Sequence, residues 1–298
     1  MQTQQLQMLI AIAEEGSLRA AARRLGKSQP ALTKSLRLLE AEVGTAIFER
    51  TARGVLLTPM GARIHRRAVS IAHEVQRLHD DVHQSTGAES GMVSLCVSPV
   101  MAHTVIPRAV AAFRQAWPNV RLRLVDGIAP EALVLLREGS IDLLAGPVPL
   151  GNLRRGFRID PLFETRLIIA TRATNPLAGA RSIGELLHGH WLIIGADKGP
   201  GRIFESAFRA LGLAPPPART SSDSLAATLG MLEAMDCYCV MPARLFDLLD
   251  RRLALVAVPI VEPLPDVSLG IVTRADAALT PAAADLLQHL RNAAGRTG

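Results

Sequence analysis

Aromatic side chains are scarce in this chain: 3% of 298 residues, with two Trp and one Tyr. Any core must therefore be built from Leu, Val, Ile and Ala, and an apolar fraction of 49% supplies enough of them. Few aromatics also argue against an RNA-binding module that stacks bases, since residues 1–60 hold only Phe48. Cysteine is nearly absent. Cys96, Cys237 and Cys239 make no disulfide framework. There is no Cys-x-x-Cys or His-Glu-x-x-His spacing, so a metal centre has no ligand set. Gly-x-Ser-x-Gly and the phosphate loop are missing too, which weighs against an α/β enzyme. No apolar run is long enough to cross a bilayer, and the first thirty residues lack the order of a secretory signal. The expectation is a cytoplasmic protein without cofactor, rather than a transported-solute receptor.

What is present is a concentrated positive charge. The net charge is +6, but residues 17–67 carry 11 Lys and Arg against Glu40, Glu42 and Glu49. Residues 68–298 carry 22 of each sign. A compact basic block favours a polyanionic partner.

That block has the punctuation of a helix-turn-helix. Leu6, Leu9, Ile10 and Ala13 recur at helical spacing before Gly16. Ser17 is a suitable cap for a second helix whose inner face is Leu18, Ala21, Ala22 and Leu25. Ser28 caps a third helix, from about Gln29 to Val43, with Pro30 tolerated in its first turn. Leu32, Leu36, Leu39 and Val43 face inward; Gln29, Thr33, Lys34 and Arg37 face outward. Gln pairs two atoms of adenine, and Arg or Lys pairs guanine, so this outer face suits the major groove. Arg19 and Arg23 of the second helix would lie across phosphates. Two short apolar runs flank Arg53-Gly54 and predict a two-stranded wing, from which Arg50 and Arg53 reach the backbone or minor groove.

Five pieces in order make these sixty residues specific: Ser17–Ala22, Ser28–Thr33, Leu38-Leu39-Glu40, Phe48–Thr51 and Leu57–Gly61. Together they resemble the DNA-binding module of LysR-type transcription regulators. The resemblance implies that Gln29, Pro30, Thr33, Lys34 and Arg37 lie at the groove and that Arg50 and Arg53 serve the wing; Ser28, at the cap of the third helix, and Arg19, on the second, complete the candidate DNA-binding set. It implies a protein that is not an enzyme, has double-stranded DNA and a small-molecule effector as partners, and has RNA polymerase downstream.

Thr58 and Pro59 open a predicted helix with no breaker until about Gly87 apart from Gly61. Ala68, Ile71, Val75, Leu78 and Val82 extend a stripe begun by Met60 and Ile64 and form a heptad seam. The seam predicts a homodimer, or a homotetramer built from it, presenting paired recognition helices to a two-fold operator. His65, His73, His79 and His83 lie in the same helix and are expected on its solvated surface.

Beyond Gly87–Gly91, strands alternate with helices. Strands are expected at Val93–Val97, Val120–Val125, Ile141–Ala145, Arg166–Thr171, Trp191–Ile194, Tyr238–Met241 and Val267–Thr273. A helix is expected at Thr104–Trp117, among others. The β-α-β order implies a parallel sheet. With the resemblance to LysR-type regulators, which implies a two-lobed effector domain like a periplasmic binding protein, the full expectation is α plus α/β: a winged helix-turn-helix (1–58), a linker helix (59–88) and that effector domain (89–298). Lobe I would take 91–162 and 268–298, and lobe II 163–267. Open sheets bind ligands beyond the carboxyl ends of their strands. Three segments fit: Ser98, Pro99, Val100 and Met101; Ala196 and Asp197; Ser221 and Ser222. Hydroxyls and free N–H groups there suggest a small organic anion as effector, which Asp197 would repel unless it turned away. Cys237 and Cys239 leave a redox-responsive regulator as the alternative, although alternate residues of one strand would be strained partners.

Overall fold

The computed structural model describes residues 2–51, 54–87, 89–149, 151–194, 201–217 and 220–295. Contacts divide the chain into two compact units, Met1–Gly87 with Arg137–Ser140, and Ala88–Leu136 with Ile141–Gly298.

The first unit opens with α1 (Thr3–Glu15), α2 (Leu18–Arg24) and α3 (Gln29–Val43), followed by β1 (Phe48–Thr51), β2 (Gly54–Leu57) and α4 (Pro59–Ser85). Local chemistry sets each boundary. Gly16 ends α1 in the left-handed region (φ 60°), and the Ser17 hydroxyl accepts the Ala20 N–H to start α2. The Ser28 hydroxyl does the same for Ala31 at α3, and Gly44 closes that helix at φ 70°. Leu9, Ile12, Ala21, Leu32, Leu39 and Ile47 have no solvent exposure and form the shared core. Truncating any of the large ones removes about 2–5 kcal/mol.

β1 and β2 are an antiparallel hairpin in register Phe48↔Leu57 through Thr51↔Gly54. It is tied down at both ends. The Val55 N–H donates to the Gly16 carbonyl at 2.9 Å, and Glu40 of α3 accepts the N–H groups of Ile47 (2.8 Å) and Phe48 (3.2 Å). Thr58 starts α4 by accepting from the Gly61 N–H at 2.9 Å while donating to the Ala46 carbonyl at 2.8 Å. A Cβ on Gly61 would sit 1.9 Å from the Ile47 carbonyl oxygen, so glycine is required where α4 crosses the hairpin.

On α4, Ala68 is buried, while Ile71, Leu78 and Val82 are 43%, 63% and 54% exposed. The seam is therefore left uncovered within one chain. Asp80 and Gln84 are buried, with Asp80 accepting from the Gln76 amide at 2.8 Å. The histidines do not all behave as expected. His79 and His83 are exposed, but His65 and His73 are half-buried. Burial shuts the His65 Nε2 from solvent and holds its pKa below the usual histidine value, against the opposing pull of Glu14. A helix packed along one side leaves only the opposite side for solvated rings.

The second unit contains β3 (Gly91–Val97), α5 (Pro99–Thr104), α6 (Ile106–Ala116), β4 (Val120–Asp126), α7 (Glu131–Arg137), β5 (Leu143–Pro147), β6 (Phe157–Arg172), β7 (His190–Ile194), α8 (Gly201–Ala210) and β8 (Thr220–Ser222). It ends with α9 (Leu225–Ala234), β9 (Cys237–Pro242), α10 (Ala243–Leu253), β10 (Leu255–Ala257), β11 (Asp266–Arg274) and α11 (Pro281–Gly295). Among the described residues the strand order is β4-β3-β5-β11-β6-β9-β7-β8, with β10 also on β6. β3 runs parallel to β4 and β5, and β7 parallel to β8 and β9; β6 and β11 run antiparallel to their neighbours.

Two lobes result, each with its own core. Val93, Leu95, Phe113 and Leu286 pack on one face of the first, and Cys96, Leu136 and Leu144 on the other. Burial on both faces explains why β3 is apolar at successive positions, interrupted only by Ser94, whose N–H donates to the Asp142 carboxylate. In the second lobe, Trp191, Phe204, Phe208 and Tyr238 cluster with ring centroids 4.8–5.4 Å apart. Four of the ten aromatics thus meet in one core.

β6 is the main departure from expectation. Only its last third was legible as Arg166–Thr171, yet the strand starts at Phe157. Residues 157–166 pair with β11 in the first lobe, and 167–170 with β9 in the second, so the lobes change at Arg166/Leu167 rather than at 162/163. Pro161 hides the strand in the sequence. It is accommodated at a register shift opposite Gly270, where a Cβ would meet the Asp160 carbonyl oxygen at 2.5 Å. The helix expected at Thr104–Trp117 is α6 (Ile106–Ala116), and a separate short helix, α5, precedes it and meets it at Val105.

Candidate DNA-binding face and effector cleft

The outer side of α3 is built from the inside out. Leu32, Leu36 and Leu39 are buried, which forces Gln29, Pro30, Lys34 and Arg37 into solvent. Ser28 is exposed at the cap. Thr33 is half-buried, and its hydroxyl donates to the Gln29 carbonyl at 2.9 Å, leaving only lone pairs for another partner. Arg19 and Arg23 are exposed on α2. Arg53 lies outside the described residues, as does the side chain of Arg50, which is in β1.

Two residues carry structural roles that spacing alone did not reveal. Arg24 is engaged by Glu14 (2.5 Å) and Glu15 (3.3 Å), which neutralises the acidic end of α1 and removes Arg24 from the free cations. Glu40, an acid inside a basic block, spends its carboxylate on the hairpin N–H groups. Its signal in the sequence is its position seven residues before Ile47, one α3 turn from the wing.

In the second unit, the carboxyl ends of β3, β5, β7 and β9 converge on a cleft holding about 660 Å³ of empty space, counting the part open to solvent. Ser98, Pro99 and Val100 line it from the β3 end; Leu192, Ile193 and Ile194 from β7; Leu167, Val240 and Pro242 from β6 and β9. Ser98 is 2% exposed and accepts the Met101 N–H, so Pro99, Val100 and Met101 form the first turn of α5 rather than a loop. Met101 is fully buried in the first lobe's core and does not reach the cleft. Ser221 and Ser222 also differ from expectation. They lie in β8, paired with Ile193 and Ile194, and Ser222 exchanges hydrogen bonds with the backbone of Ser224. Neither lines the cleft. Ser224 only caps α9. Ala196 and Asp197 lie outside the described residues.

The cysteines are unpaired and buried. Burial raises the Cys96 thiol to about 11 and pushes Cys237 and Cys239 upward as well. Such thiols are poor nucleophiles. Among the described residues, no group of three or more His, Cys, Asp or Glu could hold a metal, and no helix is long and apolar enough to cross a membrane.

A capped three-helix module with a hairpin wing, followed by a long helix and a two-lobed α/β domain, defines the class of winged helix-turn-helix proteins with a sensor domain. Family comparison gives the specific assignment. Residues 3–62 match the bacterial regulatory helix-turn-helix protein, lysR family, and residues 86–295 match the LysR substrate binding domain. The chain belongs to the LysR family of transcription regulators.

It is 33% identical over 143 residues to the uncharacterized HTH-type transcriptional regulator YkuM of Bacillus subtilis, covering 48% of this chain and 49% of that one. It is 34% identical over 179 residues to a probable hydrogen peroxide-inducible genes activator of Streptomyces viridosporus, covering 60% and 57%. The match thus spans about half the length of these two relatives. The solved structure of full-length CbnR with its target DNA superposes with a TM-score of 0.73 at 23% identity, over 98% of this chain and all of that one. That likeness concerns the fold.

Proposed function

We propose that this chain is a sequence-specific transcription regulator that binds double-stranded DNA and is controlled by a small organic effector held in the cleft of its α/β unit. The observation that carries the reading is the exposed Gln29, Lys34 and Arg37 on a helix whose other side is fixed by buried Leu32, Leu36 and Leu39. Such a helix offers bidentate donors to base edges, while Arg19 and Arg23 offer charge to phosphates. The uncovered seam Ile71, Leu78 and Val82 supports a homodimer, alone or within a tetramer, which would set two such helices against a two-fold operator.

An effector that binds one arrangement of the lobes better than another shifts the population, and the linker helices pass the change to the operator and so to RNA polymerase. With DNA as partner, the protein works in the cytoplasm. The redox alternative gains no support from thiols that are buried and raised in pKa, whatever the peroxide-inducible relative does.

The test is selective capture of genomic DNA by the purified chain. Arg37→Glu is expected to abolish capture of the selected fragments; unchanged capture would show that α3 does not lie at the groove.

A further inference from the structure

Resting on the reading of the chain as a DNA-binding regulator, we propose that the α/β unit carries a second, sequence-independent DNA contact. Arg154, Arg155 and Arg158, at the start of β6, bind backbone phosphates of the duplex beside the base pairs that α3 reads.

The charge distribution carries the inference. Residues 68–298 hold 22 cations and 22 acids, and several of their arginines are matched in the fold, as Arg172 is by Asp236 (2.8 Å) and Arg209 by Glu205 (2.9 Å). The start of β6 is different. Arg154, Arg155 and Arg158 fall within five residues, all three are exposed, and none makes an ion pair or side-chain hydrogen bond among the described residues. Asp160, the next acid along the chain, is engaged by Arg291. Asp276, exposed on the neighbouring turn, sets one negative charge against three positive ones. Like charges so close repel one another and gain nothing within the fold, whereas phosphates satisfy them. Arginine suits the task because its planar fork donates two bonds to one phosphate.

The arginines stand on a built turn. Gly151 and Gly156 take left-handed backbone on either side of it, at φ 56° and 81°. The Arg155 N–H donates to the Asn152 carbonyl at 3.3 Å, and the Ala275 N–H donates to the Gly156 carbonyl at 3.0 Å, which ties the turn to the end of β11. Arg158 stands opposite Thr273 in the sheet. Such order lowers the entropy lost when the side chains engage a ligand.

The turn also lies at the rim where the chain enters this unit. β5 runs parallel to β3, and β11 runs antiparallel to both β5 and β6, so β3, β5 and β6 share one direction. The start of β6 is therefore on the same rim as Gly91, where the chain arrives from the DNA-binding unit and β3 begins. The order β3-β5-β11-β6 sets them three strand spacings apart, about 15 Å. The effector cleft is lined by the other ends of β3, β5 and β11, at Ser98, Pro147 and Val267, so the two sites are separate.

Fluorescence anisotropy on the full chain compares two duplexes. One is a captured fragment cut to about 25 base pairs, enough for two half-sites one helical turn apart; the other is the same core extended by about two turns of random sequence on each side. Arg154→Gln, Arg155→Gln and Arg158→Gln combined should weaken binding of the extended duplex about tenfold at about 0.1 M salt and leave the short one unchanged. The salt slope on the extended duplex should flatten by about 1.8 or more, which is one phosphate from each chain of a dimer. Arg154→Lys, Arg155→Lys and Arg158→Lys combined keep the charge and should keep most of the slope.

Equal binding of the extended duplex by the parent and the Gln variant overturns the proposal. An equal loss on both duplexes overturns it too, as does loss of the oligomer in sedimentation, which would make this turn a contact between copies. If the parent shows no selective capture of any fragment, the regulator reading fails by itself. A random duplex of the extended length then still reads the arginines: weaker binding by the Gln variant sustains the phosphate contact, and equal binding overturns it.

Discussion

Replacing Lys34 by Gln separates phosphate contact from base reading on α3. Lys34 and Arg37 are both exposed on the side opposite Leu32, Leu36 and Leu39, and a two-fold dimer presents each of them twice. Every phosphate neutralised by a cation adds about 0.9 to the slope of log affinity against log salt. If Lys34 sits on a phosphate, Lys34→Gln removes two such contacts per dimer and flattens the slope by about 1.8, with an affinity loss shared by all sequences. If Arg37 reads a guanine edge, Arg37→Gln costs about 1–3 kcal/mol per half-site on the selected fragment and far less on a scrambled one. Arg24→Gln is the internal control, since Glu14 and Glu15 already hold that guanidinium and little of its charge is available to DNA. The assay is fluorescence anisotropy of a captured fragment and its scrambled form, titrated from about 0.05 to 0.3 M salt. Slopes and affinities unchanged in both the Lys34 and Arg37 variants would refute the assignment of this helix face.

Four further outcomes follow from the geometry. Leu39→Ala, at a fully buried site, should cost about 2–5 kcal/mol in denaturant unfolding of the first unit; a loss below about 1 kcal/mol would mean that the core around α3 is not packed as described. Gly61→Ala should lower stability and loosen DNA capture together, because its Cβ meets the Ile47 carbonyl oxygen at 1.9 Å, and an unaffected melting temperature would contradict that approach. Leu78→Glu should convert the oligomer to monomer in sedimentation, since this seam position is 63% exposed within one chain; an unchanged oligomer would move the interface elsewhere. Cys96 is a neutral thiol in the folded state, with a pKa raised from about 9 to about 11, so its contribution is intact below pH 9 and lost between pH 9 and 11 as the unfolded thiol ionises. Stability should therefore fall with pH across that window, less steeply in Cys96→Ala, and an equal slope in both proteins would count against the burial of this group.

The DNA-binding module was legible because its signals are local. Ser17, Ser28 and Thr58 cap within three residues of themselves, Gly16 and Gly44 stop the helices they follow, and Leu32, Leu36 and Leu39 define a face by spacing alone. Such features need no knowledge of distant chain. The heptad seam was readable for the same reason, and so was the alternation of strands and helices beyond Gly91.

Other features depended on residues far apart in sequence meeting in space. Pro161 argues against a strand until Gly270, more than a hundred residues later, provides the bulge that admits it. Glu40 and Arg24 look like members of a charged surface until Ile47, Phe48, Glu14 and Glu15 claim them. Ser221 and Ser222 read as ligand-binding hydroxyls until β8 pairs them with β7, where neither is among the described residues that line the cleft. Pro99, Pro147 and Pro242, from three separate strand ends, meet on the described lining of the cleft only in the folded chain. Capping and periodicity are written along the chain, so the sequence alone decided the helices of the reading head. The chemistry of a cavity belongs to neighbours across a sheet, and only tertiary packing decided which side chains face that space.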